Sequence, residues 1–163
     1  MKLTKHEEYG LRCLLRLAEQ RPDSLTIPEM SRAEGVSEAY AGKLLRMLRR
    51  GGLVKAARGK IGGYTLARPA DQIVVADVMS VLGGPLFEGE FCGAHTGELA
   101  TCVRSVDCSL RALWRSLQAA VDHVLNSTTL EGLLRTEPEM RAWTRQLGQI
   151  RAGDRAGTAT AGL

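Results

Sequence analysis

Cys92, Cys102 and Cys108 have nine and then five residues between them, in a Gly-rich stretch without helical or strand periodicity. Thiolates are soft ligands, and proteins offer them in threes or fours to zinc or to iron–sulfur clusters. A structural zinc site draws two sulfurs from one knuckle, about two to four residues apart. The gaps here make no such knuckle. Wider, loop-borne spacing suits a cluster whose iron atoms spread over several ångströms. The plain alternative is three unrelated thiols, but free cysteines do not usually gather in a polar loop. Cys13 sits beside Leu14 in an apolar helical pattern and reads as a small core hydrophobe.

Three sulfurs leave a 4Fe–4S or 2Fe–2S cluster one ligand short. His6, Glu7, Glu8, His95 and Glu98 are the candidates to complete it. Carboxylate and imidazole exchange more readily than thiolate, so a site closed by one of them opens more easily to a small molecule. Taken singly, each is an ordinary solvated group. A stretch as long as residues 85–107 with no structure of its own is unusual in a small domain unless something orders it, and a metal centre would.

Other elements must hold this segment. Leu11, Leu14, Leu15 and Ala18 predict a helix from about Lys5 to Gln20, closed by Pro22-Asp23. Thr26-Ile27-Pro28-Glu29 is a capping box with proline in the first turn, and Gly35 closes the short helix it opens. Ser37 caps a third helix whose buried side is Leu44, Leu45 and Leu48, and Gly51-Gly52 stops it. Two short helices around a tight Gly turn make a helix-turn-helix, whose second helix enters the major groove. A strand over residues 53–57, a Gly-rich basic turn at Arg58-Gly59-Lys60-Ile61-Gly62-Gly63, and a return strand at Tyr64-Thr65-Leu66 make a wing. A short helix over residues 76–82 ends at Gly83-Gly84-Pro85. Asp107 can cap a long helix from about Cys108 to Leu125. Its stripe of Leu110, Leu113, Trp114, Leu117, Val121, Val124 and Leu125 suits helix-on-helix packing. One small wing domain offers little for that stripe to cover, so it reads as a dimerisation helix; the alternative is an ordinary core helix. Thr128-Thr129-Leu130-Glu131 opens a short helix to about Leu134. Residues 139–150 are weakly helical, and residues 153–162 read as a disordered tail.

Charge divides the same way. Residues 1–70 hold 14 Lys/Arg against 7 Asp/Glu, and residues 71–163 hold 8 against 11. Lys43, Arg46, Arg49, Arg50, Lys55, Arg58, Lys60 and Arg68 form a block uninterrupted by any acid, which attracts a polyanion. A solvated surface is the plain alternative. Ser37, Tyr40 and Lys43 are expected to face the major groove. Arg46, Arg49 and Arg50 are expected at phosphates or on the flank, and the wing residues Arg58, Gly59 and Lys60 at the backbone or minor groove. There is no run of eighteen apolar residues to span a membrane and no signal-like N-terminus, so the cytoplasm is the expected compartment. No C-x-x-C pair, nucleotide motif or catalytic triad stands out, so a thiol oxidoreductase is disfavoured and no enzyme is expected.

These motifs together resemble the Rrf2 family of winged-helix regulators, with its IscR-, NsrR- and RirA-type members. The resemblance rests on Met1-Lys2-Leu3-Thr4, Val36-Ser37 with Tyr40, Leu48-Arg49-Arg50-Gly51-Gly52-Leu53-Val54 and the wing from Arg58 to Leu66. Cys108 with Leu113-Trp114, and Thr129-Leu130-Glu131-Gly132-Leu133, complete it over roughly residues 1–135. It implies a homodimeric regulator, a repressor or an activator, carrying one iron–sulfur cluster per subunit on Cys92, Cys102 and Cys108. In NsrR-like members a carboxylate of the partner's N-terminal region is the fourth ligand, which falls at Glu8; His95, His6 and Glu7 rank behind it. In IscR-like members a histidine three residues past the last cysteine serves, and here that position is Arg111. The first cysteine gap also exceeds the family's usual spacing. The missing histidine and the available Glu8 lean towards 4Fe–4S over 2Fe–2S. A recognition-helix glutamate of IscR-like members falls at Gly42, so the operator sequence cannot be carried over.

The expected fold is mainly α: a winged helix-turn-helix with a two-stranded wing plus a long C-terminal dimerisation helix. The expected organisation is a DNA-binding domain over residues 1–84, a cluster loop over 85–107, a dimerisation helix and short helix over 108–135, and a tail over 136–163. The function expected is a cluster-dependent transcriptional regulator that binds a palindromic double-stranded operator as a homodimer and senses nitric oxide, redox state or iron supply. The rival is a zinc-stabilised winged-helix protein without redox sensing.

Overall fold

The computed structural model of the chain describes residues 3–57, 62–84 and 96–157. In chain order the helices are α1 Lys5–Glu19, α2 Ile27–Glu34, α3 Glu38–Arg50, α4 Val75–Leu82, α5 Ser109–Ser127 and α6 Glu137–Gly157. Strands β1 Val54–Ala57 and β2 Gly63–Leu66 lie between α3 and α4, and 3-10 turns occupy Ala70–Gln72 and Glu131–Leu134.

Local chemistry sets the helix boundaries. Thr4 and Thr26 open α1 and α2 with complete capping boxes: each hydroxyl accepts from the backbone N–H of Glu7 or Glu29, and each threonine N–H donates to that glutamate's carboxylate. The Thr26 N–H and hydroxyl both donate to the Glu29 carboxylate, at 2.8 and 2.7 Å, and hold it below its ordinary range. Ser37 caps α3, and Gly35 takes φ 65°, a left-handed conformation that only glycine adopts at little cost. The helix-turn-helix therefore follows the boundaries read from the sequence.

Its core is aliphatic. Leu14 and Leu17 of α1, Met30 of α2, and Leu44, Leu45 and Leu48 of α3 are buried, joined by Leu53, Ile73, Val78 and Leu130. Each such side chain contributes about 1.5–3 kcal/mol by leaving water. Cys13 is fully enclosed among them, as its apolar neighbours predicted, and burial pushes its thiol up to about 12.

β1 and β2 pair antiparallel in the register Val54↔Leu66 to Ala57↔Gly63, with Leu53 just outside the ladder. Leu25, ahead of α2, bridges to Tyr64 through bonds of 3.0 and 2.7 Å. That third segment passes so close that a Cβ on Gly63 would lie 2.9 Å from the Leu25 carbonyl oxygen. The wing is thus sewn to the helix-turn-helix at its base. The tip of the wing, with Arg58, Gly59 and Lys60, lies outside the described residues.

Beyond the wing two expectations need correction. The cap of α5 is Cys108, whose sulfur accepts the Arg111 N–H; Asp107 does not supply it. And residues 153–157 are helical: α6 is one helix over Glu137–Gly157, where a weak helix followed by a disordered tail was expected. Its start explains this. The Thr136 N–H and hydroxyl both donate to Glu139 at 2.8 Å, and Glu137 pairs with Arg141 one turn on, contributions that composition alone understates. The short segment after α5 returns to the body. Val75 N–H donates to the Thr128 carbonyl (2.9 Å) and Leu130 N–H to that of Ile73 (2.8 Å), and the Leu130 side chain is fully buried. No helix among the described residues is long and apolar enough to cross a membrane.

Candidate functional site

The basic face and the cysteine segment are built by opposite means. The exposed residues of α3 and its cap are Ser37, Glu38 and Ala39 at the start, then Lys43, Arg46, Arg49 and Arg50. Their spacing follows from burying Ala41, Leu44, Leu45 and Leu48 on the other side of the helix. Arg46, Arg49 and Arg50 line one cleft of about 410 Å³ at the C-terminal end of α3. Three guanidinium groups around one recess suit phosphate oxygens. Arg68, counted in the basic block, is not part of this face: it donates to the Gln72 carbonyl and pairs with Asp77 at 3.0 Å.

Tyr40 departs from its expected place. Its ring turns towards α1, 5.6 Å from the ring of His6 and 6.0 Å from that of Tyr9, and its hydroxyl is buried. Burial raises the hydroxyl's pKa above its ordinary value. The reason is its position one residue before Ala41, on the rim of the buried stripe, where an aromatic ring gains more from packing than from solvent. Ser37 and Lys43 keep their outward positions, with the Ser37 oxygen engaged as a cap for the Tyr40 N–H at 3.3 Å.

A clamp that the sequence did not disclose fixes α2 against α1. Glu34, at the end of α2, is buried, and receives Arg12 Nε at 2.9 Å and Arg16 Nε at 3.2 Å. Arg12 also lies over the Tyr9 ring, 5.1 Å from its centroid. A carboxylate this buried tolerates its charge only because both guanidiniums reach it. The one hint in the sequence was an arginine pair at i, i+4 on the first helix.

The candidate ligands fall into two sets. Cys102 and Cys108 are unpaired in any disulfide, half-buried, and line the same cavity of about 220 Å³ with Thr96, Ala100, Thr101, Arg104, Ser105 and Arg111. Cys92 and His95 lie outside the described residues. On α1, Glu7 is buried and committed: it accepts the Thr4 N–H at 2.6 Å and packs against Gly83. Glu8, next to it, is exposed on the other side of the helix, and His6 is half-buried against Tyr40. Glu98 is exposed in the loop. No three of His, Cys, Asp or Glu come together as a metal site among the described residues. Two soft sulfurs on one small cavity nevertheless fit a thiolate-held metal or cluster that draws further ligands from outside this set.

α5 runs out from this cavity. It has no buried residue, and Leu110, Leu113, Leu117 and Val124 stand 40–56% exposed.

Residues 3–136 match the profile of the Rrf2 family, described as an iron-dependent transcriptional regulator. The chain belongs to the Rrf2 family. Among its relatives, Protein aau3 of Rhizobium meliloti (strain 1021) is 36% identical over 142 residues, 86% of this chain and 89% of that one. The solved structure of CymR, the global cysteine regulator of B. subtilis, aligns with a TM-score of 0.65 at 31% identity, over 82% of this chain and 96% of that one. That of T. potens IscR aligns with a TM-score of 0.64 at 29% identity, over 82% and 86%. This Rrf2 chain is thus a winged-helix, DNA-binding transcriptional regulator, a class that is not enzymatic.

Proposed function

We propose that this Rrf2 regulator works as a homodimer whose grip on a two-fold symmetric operator is gated by an iron–sulfur cluster. The observation that carries the reading is the shared cavity of Cys102 and Cys108 at the N-terminus of α5. Cys92 is the third sulfur in this proposal, and the partner subunit's Glu8, exposed on α1, completes the set. Glu7 does not compete, because its carboxylate is already bonded within α1. When bound, the cluster supplies a centre whose integrity depends on iron supply, oxidation or nitric oxide; the absence of a histidine at Arg111 favours 4Fe–4S.

The remaining parts are assigned to the protein's own side chains. The apolar face of α5 packs on that of a second copy and sets the distance between the two α3 helices. Ser37 and Lys43 approach base edges. Arg46, Arg49 and Arg50 hold phosphates, and Arg58, Gly59 and Lys60 of the wing reach the backbone or minor groove. DNA as partner and reduced thiols both suit the cytoplasm.

A second reading has one observation in its favour: likeness to CymR, the global cysteine regulator of B. subtilis, is as close as likeness to IscR. In that reading the thiols respond to a sulfur metabolite and hold no cluster. Anaerobic purification decides between them. Brown protein with iron and acid-labile sulfide, whose DNA retardation changes when the cluster is removed, supports the proposal. Colourless protein that takes up zinc, or nothing, after reconstitution overturns it.

A further inference from the structure

Cys102 and Cys108 lie at the two ends of a seven-residue turn. For both thiols to reach one cavity the chain between them must reverse. Burial does not hold it there, because Val103 and Val106 are 82% and 95% exposed. One backbone bond helps, from Ser105 N–H to the Cys102 carbonyl at 2.9 Å. The carbonyls of Ser105 and Val106 are both met by a single side chain, that of Arg111. Its Nη1 donates to Ser105 O at 2.8 Å, and its Nη2 reaches Val106 O at 3.5 Å. Its own backbone N–H donates to Cys108 Sγ at 3.4 Å, and its side chain lines the cavity with both sulfurs.

The position is otherwise unfavourable for arginine. The first turn of a helix carries partial positive charge and prefers Asp or Glu, yet the first turn of α5 contains no acid and does contain Arg111. A residue that breaks a local rule is expected where a neighbouring group compensates. Here the compensation is geometric and electrostatic. The planar fork suits two carbonyls one peptide apart, and the fixed charge faces a cavity into which two thiolates would bring negative charge.

We propose that Arg111 is a positioning residue for Cys102 and Cys108. It clamps the 105–106 turn so that both thiols are held on one cavity before any metal arrives, and its guanidinium offsets their charge once they ligate. The second half of this statement rests on the metal-site reading; the first half does not.

The test uses full-length, metal-free protein in two arms. In the first, Cd(II) is titrated and followed by thiolate-to-Cd(II) absorption in wild type, Arg111→Ala and Arg111→Lys. Loss of a group that orients ligands lowers metal affinity by about 10–100-fold. Arg111→Ala is therefore expected to weaken Cd(II) binding about tenfold, and Arg111→Lys, which keeps the charge but not the fork, to recover part of the loss. Melting should be unchanged, because the Arg111 side chain bonds to loop carbonyls and its backbone cap on Cys108 is kept in both variants. In the second arm, Cys102–Cys108 disulfide formation is measured against a glutathione buffer in a Cys92→Ser background. Arg111→Ala should reduce the disulfide fraction at a fixed glutathione ratio. Wild-type behaviour of Arg111→Ala in both arms overturns the clamp. If the Cd(II) band survives Cys102→Ser and Cys108→Ser while the disulfide arm still responds to Arg111→Ala, the clamp stands and the metal-site reading falls.

Discussion

α3 and α5 carry the same kind of pattern and meet different fates. Both are amphipathic helices with a leucine stripe. The 13-residue α3 buries Ala41, Gly42, Leu44, Leu45 and Leu48, while the 19-residue α5 buries nothing. The difference lies in what surrounds each. α3 is enclosed by α1, α2, α4 and β1. Among the described residues, α5 leaves the body after the cysteine segment, packs on α4, and is followed by Thr128 and Leu130, which bond to the 73–75 backbone. A helical period therefore announces that a face will be covered without saying by which chain.

The largest expected effect is a contrast in stability. Leu44→Ala should lower the unfolding free energy measured in urea by about 2–5 kcal/mol, the cost of a cavity in a closed core. Leu113→Ala, measured at concentrations too low for self-association, should stay within about 0.5 kcal/mol of wild type. Equal losses would mean that α5 is covered within its own chain. Next in size is self-association. Leu117→Asp should convert dimer to monomer in sedimentation velocity, with association weakened by about 2 kcal/mol or more, and should leave the melting of the monomeric body alone. Unchanged sedimentation would remove α5 from the interface.

Smaller still is the contrast within the basic block. Arg46→Ala should weaken DNA binding and reduce the slope of log affinity against log salt by about 1. Arg68→Ala should leave that slope unchanged, because Arg68 is held by Asp77 and the Gln72 carbonyl. A last effect, confined to alkaline pH, concerns Cys13. Its thiol is raised from 9.0 to about 12 by burial first and by Glu34 second. The folded state thus keeps a proton that the unfolded chain releases, so the associated stability is intact below pH 9 and is lost as pH rises towards 12. Cys13→Ala should flatten stability across that window. At pH 8 an alkylating reagent should label Cys102 and Cys108 of the native protein but spare Cys13.

Legibility followed locality. The capping boxes at Thr4 and Thr26 and the Gly35 turn act between residues three or four apart, so the first three helices could be bounded to within a residue. The wing strands were equally plain, because their register follows from one Gly-rich turn. The α6 helix was underestimated, since the Thr136 and Glu139 bonds lie outside the apolar periodicity that was read. Tyr40 was misplaced for a different reason. A tyrosine on the rim of a buried stripe can turn either way, and the rings of His6 and Tyr9, more than thirty residues earlier, turned it inward. The Arg12–Glu34–Arg16 clamp is likewise non-local. Of the ligand candidates, Glu8 ranks ahead of Glu7 on the resemblance alone; the fold adds that Glu7 is bonded to the Thr4 N–H, because adjacent residues on a helix point in different directions.

By itself, the sequence determined the helix-turn-helix and its wing, the exposed arginines of α3 and the presence of three thiols ahead of a long amphipathic helix. Each follows from short-range spacing, caps and period. Only the tertiary structure decided that Cys102 and Cys108 open onto one cavity, that Arg111 holds the turn between them, and that Glu7 is spent inside α1 while Glu8 is not. Those outcomes depend on how the chain reverses and which side chain reaches a given carbonyl, and no periodicity along the chain encodes either.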